Sequence, residues 1–246
     1  MDSIPSDHPR YQSLLLRDRI VSGIQKGITS QHGLVAHGRG EAFDYLLSEK
    51  TLPSANIAAK AAAAQLFLSK KSVISINGNT AALVPSELIS LSNLTKSKME
   101  VNLFHRTDSR IHAIISHLNS FGAKDVLGIS PDSNLPGISH DRAKVTSEGL
   151  YSSDTVLVPL EDGDRVESFN KMGKTTIVID LNPLSRSSQS ATIPIIDNVH
   201  RAIPNIIRHF EIISLLPPEN SMHILKKFSR NESLSEAEKK IRLGPL

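Results

Sequence analysis

No cysteine occurs among the 246 residues. Disulfides, thiol nucleophiles, thiolate zinc sites and iron–sulfur clusters are therefore excluded together. Any chemistry falls to carboxylates, His, Lys, Arg, hydroxyls, backbone amides or an oxygen-bound cation. Tryptophan is also missing and aromatic residues make up only 4%, too few to equip a base-stacking platform. Charge of one sign is scarce as well. The net charge is +3, and basic residues run no longer than the pairs at Lys70-Lys71, Lys226-Lys227 and Lys239-Lys240. That excess points to small anionic ligands, and no meaningful affinity for nucleic acid is expected. No apolar run is long enough to cross a bilayer, and the opening MDSIPSDHPRYQS lacks the apolar stretch of a secretory signal. The expected location is cytoplasmic, away from any membrane.

What remains is the composition of an ordinary globular protein, 39% hydrophobic and 22% charged, with enough length to bury a large core. Residues 8 to 26 read as an amphipathic helix, capped by Ser6 or Asp7 and with Pro9 in its first turn. The stretch 28 to 40, with three glycines, reads as a loop. Ala55 to Leu68 is an alanine-rich helix with Ser54 as its cap. Beyond it, β-rich runs at 72–77, 99–104, 125–129, 154–158, 175–180 and 192–196 alternate with helical patterns. Ile111, Ile114, Ile115 and Leu118 form one helical stripe ended by Gly122. Asp164 and Glu167 have the spacing of a capping box.

Strands alternating with helices predict an α/β fold: a Rossmann-like, mostly parallel sheet flanked by helices, with an N-terminal helix and a C-terminal helical appendage. The division expected is a catalytic domain over 1–216 and a helical tail over 217–246, fraying at its end. Residues 130 to 153 read as a long polar connection, suited to an active-site lid or a dimer arm.

Ligands in open α/β sheets bind beyond the carboxyl ends of the strands. The residues there are Asn77, Gly78, Asn79 and Thr80, then His105 and Arg106, then Glu161, Asp162 and Asp164, then the run from Asp180 to Ser187. Amide-rich turns and arginines suit phosphoryl groups, and the acids Glu161 and Asp162 are candidate ligands for magnesium. Plainer readings stand beside these: an asparagine–glycine turn, and an acidic turn followed by a helix cap. No GxGxxG occurs, and no GxxxxGK followed by Ser or Thr. The residues alone thus give a phosphate-handling α/β enzyme with unspecified substrates.

Longer strings narrow this. HPRYQSLLLRDRIVSGIQKG from His8, GLVAHGRGEAFDYLL from Gly33, VISINGNTAALVP from Val73, EVNLFHRT from Glu100, DTVLVPLEDGDRVE from Asp154 and IDLNPLSRSSQSATIPIIDNVHRAIPN from Ile179 resemble, in order and spacing, those of archaeal phosphopantothenate synthetases. The resemblance covers about residues 4 to 210, and the tail after Pro217 departs from it. It implies a Rossmann-like homodimer that condenses 4-phosphopantoate with β-alanine, consuming ATP and releasing AMP and pyrophosphate.

The resemblance places the ATP contacts on Arg17, Arg39, Asp180, Leu181, Asn182, Arg186, Ser187, Asn198 and Val199. To these we add Asn77, Gly78, Asn79 and Arg106 for phosphopantoate, and Glu161 or Asp162 for magnesium. Arg39, Asp180 and His37 form the expected catalytic group, with His37 taking the proton of the attacking amine. The competing expectations are a phosphotransferase acting on a hydroxy acid, which would release ADP, and a nucleotide-binding module without turnover.

Overall fold

In the computed structural model, residues 5, 7, 8 and 10–244 are described. The chain runs through α1 (Tyr11–Gln25), α2 (Gln31–Leu46), α3 (Pro53–Leu68), β1 (Ser72–Ile76), α4 (Gly78–Leu83) and α5 (Pro85–Thr95). It continues with β2 (Lys98–Val101), α6 (Asp108–Ser120), the short strands β3 (Ser133–Asn134) and β4 (Lys144–Val145), then β5 (Thr155–Pro159) and α7 (Gly163–Lys171). Last come β6 (Thr175–Asp180), α8 (Arg186–Ser190), β7 (Ile193–Ile196), α9 (Val199–Ile213), α10 (Pro218–Lys227) and α11 (Arg230–Leu243).

Five strands form one parallel sheet in the order β2-β1-β5-β6-β7. The expected α/β architecture is therefore present. Successive strand residues face opposite ways, and both faces are covered. Ile74, Ile76, Leu157, Ile177 and Ile179 join the cluster built with α3, α5, α6 and α9. Val73, Val156, Val158 and Val178 turn the other way, against Val166 and Phe169 of α7 and against Leu135, Val145 and Leu150. The order reverses between β1 and β5, which opens a crevice at the carboxyl ends of the strands. No described helix is long and apolar enough to cross a membrane.

Several sequence expectations need correction. Residues 31–46 are helix, not loop, because Ser30 caps them, its hydroxyl accepting from the Gly33 amide at 3.3 Å. Helix α1 begins at Tyr11 with no side-chain cap; the proposed Ser6 and Pro9 lie outside the described residues. Helix α3 begins with Pro53 at its first position, so Ser54 lies inside it. The run 125–129 contributes only a bridge from Leu127 to Glu100, since Asp125 and Gly128 take positive φ of 53° and 117° and cannot continue an extended strand.

The capping box at Asp164 and Glu167 is not made. Asp162 is the N-cap of α7 without a side-chain bond, while Asp164 meets His140 at 2.8 Å and Glu167 meets Arg186. The segment 130–153 is folded: β3 pairs with β4, and Leu135, Val145 and Leu150 sink into the core.

The tail is docked. Arg230 donates to the Ala191 carbonyl at 2.8 Å. Leu234 and Ala237 of α11 pack with Leu47, Leu181 and Ile196.

Candidate active site

A cavity of about 660 Å³ opens at the carboxyl ends of the strands, where the sheet order reverses. Of the residues expected to act, His37, Arg39, Asn77, Gly78, Asn79, Glu161, Asp162, Asp180, Leu181, Asn182, Ser187 and Asn198 line it. Arg17, Arg106, Arg186 and Val199 stand outside that lining.

After β1 the chain turns straight into α4 through a reciprocal cap: Asn77 Oδ1 accepts from the Thr80 amide and Thr80 Oγ1 accepts from the Asn77 amide, both at 3.0 Å. The other end of the Asn77 side chain donates to the Pro159 and Leu160 carbonyls at 3.1 and 2.9 Å, tying β1 to β5. Asn79 donates to the Gly33 carbonyl at 2.8 Å and accepts from Thr29 Oγ1, tying α4 to α2. Gly78 has no substitute: a Cβ there would stand 2.4 Å from the Ile28 carbonyl oxygen. The side chains of Asn77 and Asn79 are thus committed to the frame.

After β2, Arg106 turns away and donates to the carbonyls of Gly128 and Ile129 at 2.6 and 2.9 Å. One helical turn later Arg110 does reach the cavity, its Nη1 donating to the His105 carbonyl at 2.8 Å. Burial pulls its guanidinium below the usual value. Phe104 and His105 fill the floor between, their rings 4.9 Å apart.

After β5, Glu161 lies enclosed between Arg142 and Arg165. Arg165 is completely buried, donates to Ser75 Oγ at 3.2 Å and has its guanidinium 5.1 Å from the Phe169 ring. Asp162 is exposed and pairs with Arg142 at 3.1 Å. Among the described residues no group of three or more His, Asp or Glu stands ready to hold a metal ion. A carboxylate already neutralised by two arginines is a poor cation ligand, because coordination would strip the arginines of their counter-charge inside the protein. The donor set here does not fit a protein-held magnesium ion.

After β6, Asp180 organises its own turn. It accepts from the amides of Leu181 and Asn182 at 2.7 and 3.2 Å and from the hydroxyl of Ser185. Burial pushes its carboxyl up, and these donors pull it back. Ser187 lies at the cavity wall and gives its hydroxyl to the Glu161 carbonyl. Arg186 is drawn off into a two-pronged pair with Glu167 at 2.6 Å. After β7, Asn198 caps α9 and reaches back to Asp44 of α2, whereas Val199 is core.

Helix α2 forms the opposite wall. Its His37 is buried with Nε2 unpartnered. Desolvation lowers the imidazole below 6.5 and Arg17 lowers it further, against the raising influence of Glu41 and Asp44. Arg39 projects from the same helix, and Arg17 grips Glu41 with Nε 2.8 Å from both carboxylate oxygens. Sequence reasoning missed Arg110 and Arg142. The only available signal was a basic residue in the first turn after the β2 loop for one, and in the long polar segment for the other.

Comparisons with known proteins accompany this geometry. The phosphopantothenate/pantothenate synthetase family model matches residues 54–244. The chain is 50% identical to the 4-phosphopantoate–β-alanine ligase of Methanosarcina mazei, covering 96% of this chain and 93% of that one. It is 45% identical to the Thermococcus kodakarensis ligase of the same name over 96% and 91%, and 51% identical to that of Methanospirillum hungatei over 83% and 84%. The family match runs through α10 and α11, so the tail after Pro217 does not depart from the family pattern as expected. The chain is a member of the phosphopantothenate/pantothenate synthetase family.

Proposed function

We propose that this protein is an ATP-dependent 4-phosphopantoate–β-alanine ligase that supplies 4′-phosphopantothenate for coenzyme A synthesis. One observation carries the reading: a single cavity offers two separate anion-receptive ends. The turns after β6 and β7, with Arg39 of α2, form one end; Arg110 and Arg142, near the ends of β2 and β5, form the other. Relatives matching nearly the whole chain carry the same activity in their names.

The chemistry fits this inventory. A carboxylate is a weak electrophile, so its oxygen attacks the α-phosphorus of ATP and pyrophosphate leaves, giving an acyl-adenylate. The β-alanine nitrogen then attacks the acyl carbon, AMP leaves, and the nitrogen gives up a proton. Arg39, Leu181, Asn182, Ser187 and Asn198 receive the nucleotide. Asp180 holds the turn that presents it. His37 takes the proton through its unpartnered Nε2, because desolvation favours the neutral imidazole. Arg17 acts through Glu41, which lines the cavity, whereas Arg186 is held by Glu167, which does not. Bringing two polyanions together makes positioning and charge neutralisation the main sources of acceleration. Magnesium would come with the nucleotide and supply charge neutralisation there, since Glu161 and Asp162 are paired with arginines. The working form we infer is a cytoplasmic homodimer.

Product analysis with ATP, magnesium, 4-phosphopantoate and β-alanine tests this. AMP should form only with phosphopantoate present, and 4′-phosphopantothenate only when β-alanine is added. ADP as the product would replace the ligase with a phosphotransferase, and ATP binding without turnover would leave a binding module.

A further inference from the structure

Arg142 reaches the cavity from the face of the sheet that carries α7, delivered by the folded segment that the sequence suggests is a loose connection. Three anchors hold its approach. The Leu135 amide donates to the Ala143 carbonyl at 2.8 Å. Asn102 Nδ2 donates to the Lys144 carbonyl at 2.9 Å. Buried Glu100 accepts from the Thr146 amide, the Thr146 hydroxyl and the Leu150 amide at 2.8, 2.7 and 2.7 Å. The result is an arginine only 8% exposed.

Its neighbours define what it faces. The guanidinium lies 5.8 Å from the Phe104 ring, beyond β2, and pairs with Glu161 and Asp162, beyond β5. Since β1 lies between those strands, Arg142 stands over the end of β1, away from the turns after β6 and β7. Two buried arginines share the enclosed Glu161 carboxylate, with Asp162, Asp164 and Glu100 contributing negative charge nearby. Arg165 is sealed in by Ser75 and Phe169 and cannot reach a ligand. Arg142 lines the cavity and its Nε has no partner. Desolvation and the Arg165 charge lower it to about 10, so it stays cationic at neutral pH. A desolvated cation with an open donor favours an incoming anion.

We propose that Arg142 is the residue by which the enzyme distinguishes the phosphorylated hydroxy acid from its unphosphorylated counterpart, with Glu161 positioning the guanidinium instead of holding a metal. The inference rests on the ligase reading. The reacting carboxylate must meet the α-phosphate of ATP, so the substrate's own phosphate points toward the β1–β2 side, where Arg142 and Arg110 lie. The planar fork of arginine suits that dianion. An acid lacking the phosphate would leave the buried Arg142 Nε without a partner, the situation that gives polar sites their selectivity.

Initial rates of the full-length wild type, Arg142→Gln, Arg142→Lys and Glu161→Gln, with 4-phosphopantoate and with pantoate, test the proposal. Arg142→Gln should raise KM for 4-phosphopantoate about 100-fold or more. KM for ATP and β-alanine should hold, and kcat/KM for pantoate should hold or rise as the unpaired donor is removed, so the preference collapses. Arg142→Lys keeps charge without the fork and should fall between, which keeps the test intact if the glutamine variant does not fold. Glu161→Gln should raise KM for 4-phosphopantoate about 10-fold, with kcat and the magnesium requirement unchanged. An equal loss with both acids, a KM rise confined to β-alanine, or a Glu161→Gln enzyme needing more magnesium would overturn the assignment. Absence of AMP from the wild type would instead sink the ligase reading itself.

Discussion

Asn198 and Asp44 lie 154 positions apart and meet at 2.8 Å, Asn198 Nδ2 donating to Asp44 Oδ2. Arg201 joins them, pairing with Asp44 and, at 2.7 Å, with Asp197. This buried knot fastens the wall that carries His37 and Arg39 to the cap of α9. Removing one partner of a buried ion pair leaves an uncompensated charge, typically ~3 kcal/mol or more. Asp44→Ala should therefore lower unfolding free energy by ~3 kcal/mol and raise KM for ATP, since Asn198 loses its hold. Asp44→Asn should cost less than half as much. Urea unfolding of the two variants beside wild type decides; a loss within ~0.5 kcal/mol for Asp44→Ala would show that the knot is dispensable.

His37 should separate the two chemical steps. His37→Gln keeps a polar side chain but no base. Phosphopantoate-dependent exchange between ATP and pyrophosphate should survive in it, while amide formation falls by about 100-fold or more. The acid limb of wild-type kcat/KM for β-alanine should lie below the ordinary imidazole value of 6.5, in the direction set by burial. Loss of both steps together would assign His37 to nucleotide binding.

His200, in the first turn of α9, carries a stability penalty in acid. Desolvation first, then the charges of Arg201 and Arg19, lower it to about 4 from 6.5, with Asp44 opposing. Between those values the unfolded chain binds a proton that the folded chain refuses, so stability is full above 6.5 and declines toward 4. The gap corresponds to ~3 kcal/mol at most, and partial solvent access reduces it to ~2 kcal/mol. His200→Gln should flatten the fall in Tm across that window. An unchanged slope would place the acid sensitivity elsewhere.

Glu100 anchors the segment that carries Arg142, and Gly149 makes room for it: a Cβ there would stand 2.1 Å from Glu100 Oε2. Glu100→Ala strips the Thr146 and Leu150 amides of their acceptor, each worth ~1–3 kcal/mol when buried. The variant should lose ~3 kcal/mol, and amide exchange should speed up locally at residues 144–151. Gly149→Ala should produce the same local exchange with Glu100 intact. Protection unchanged in both would mean that the segment is held by its apolar residues alone.

The sheet was legible because β1, β5, β6 and β7 are short continuous apolar runs, as strands covered on both faces must be. Helix α2 was not, because Gly33, Gly38 and Gly40 weaken any local helical preference. Tertiary packing explains one of them: a Cβ at Gly33 would meet Thr29 Oγ1 at 2.3 Å, whereas one at Gly40 would make only an ordinary contact with Leu181 at 3.4 Å. At the cavity, strand-end turns were identifiable from asparagine, glycine and aspartate. Which arginine turns inward was not. Arg106 and Arg110 differ by one helical turn, and their choice depends on the carbonyls of Gly128, Ile129 and His105. Arg142 was hidden for a related reason, since nothing local tells that a polar segment folds back under the sheet.

The reversal of strand order between β1 and β5 has an evolutionary corollary. The two ends of the cavity draw mainly on different strand-end loops, one on those after β2 and β5, the other on the turns after β6 and β7 with Arg39 of α2. Mutations that reshape the receiver for one ligand therefore need not disturb the other. A descendant of this chain could trade its acid while keeping its nucleotide, by changes confined to the loop after β2 and the stretch around Arg142. Directed evolution toward new hydroxy acids would do well to begin there.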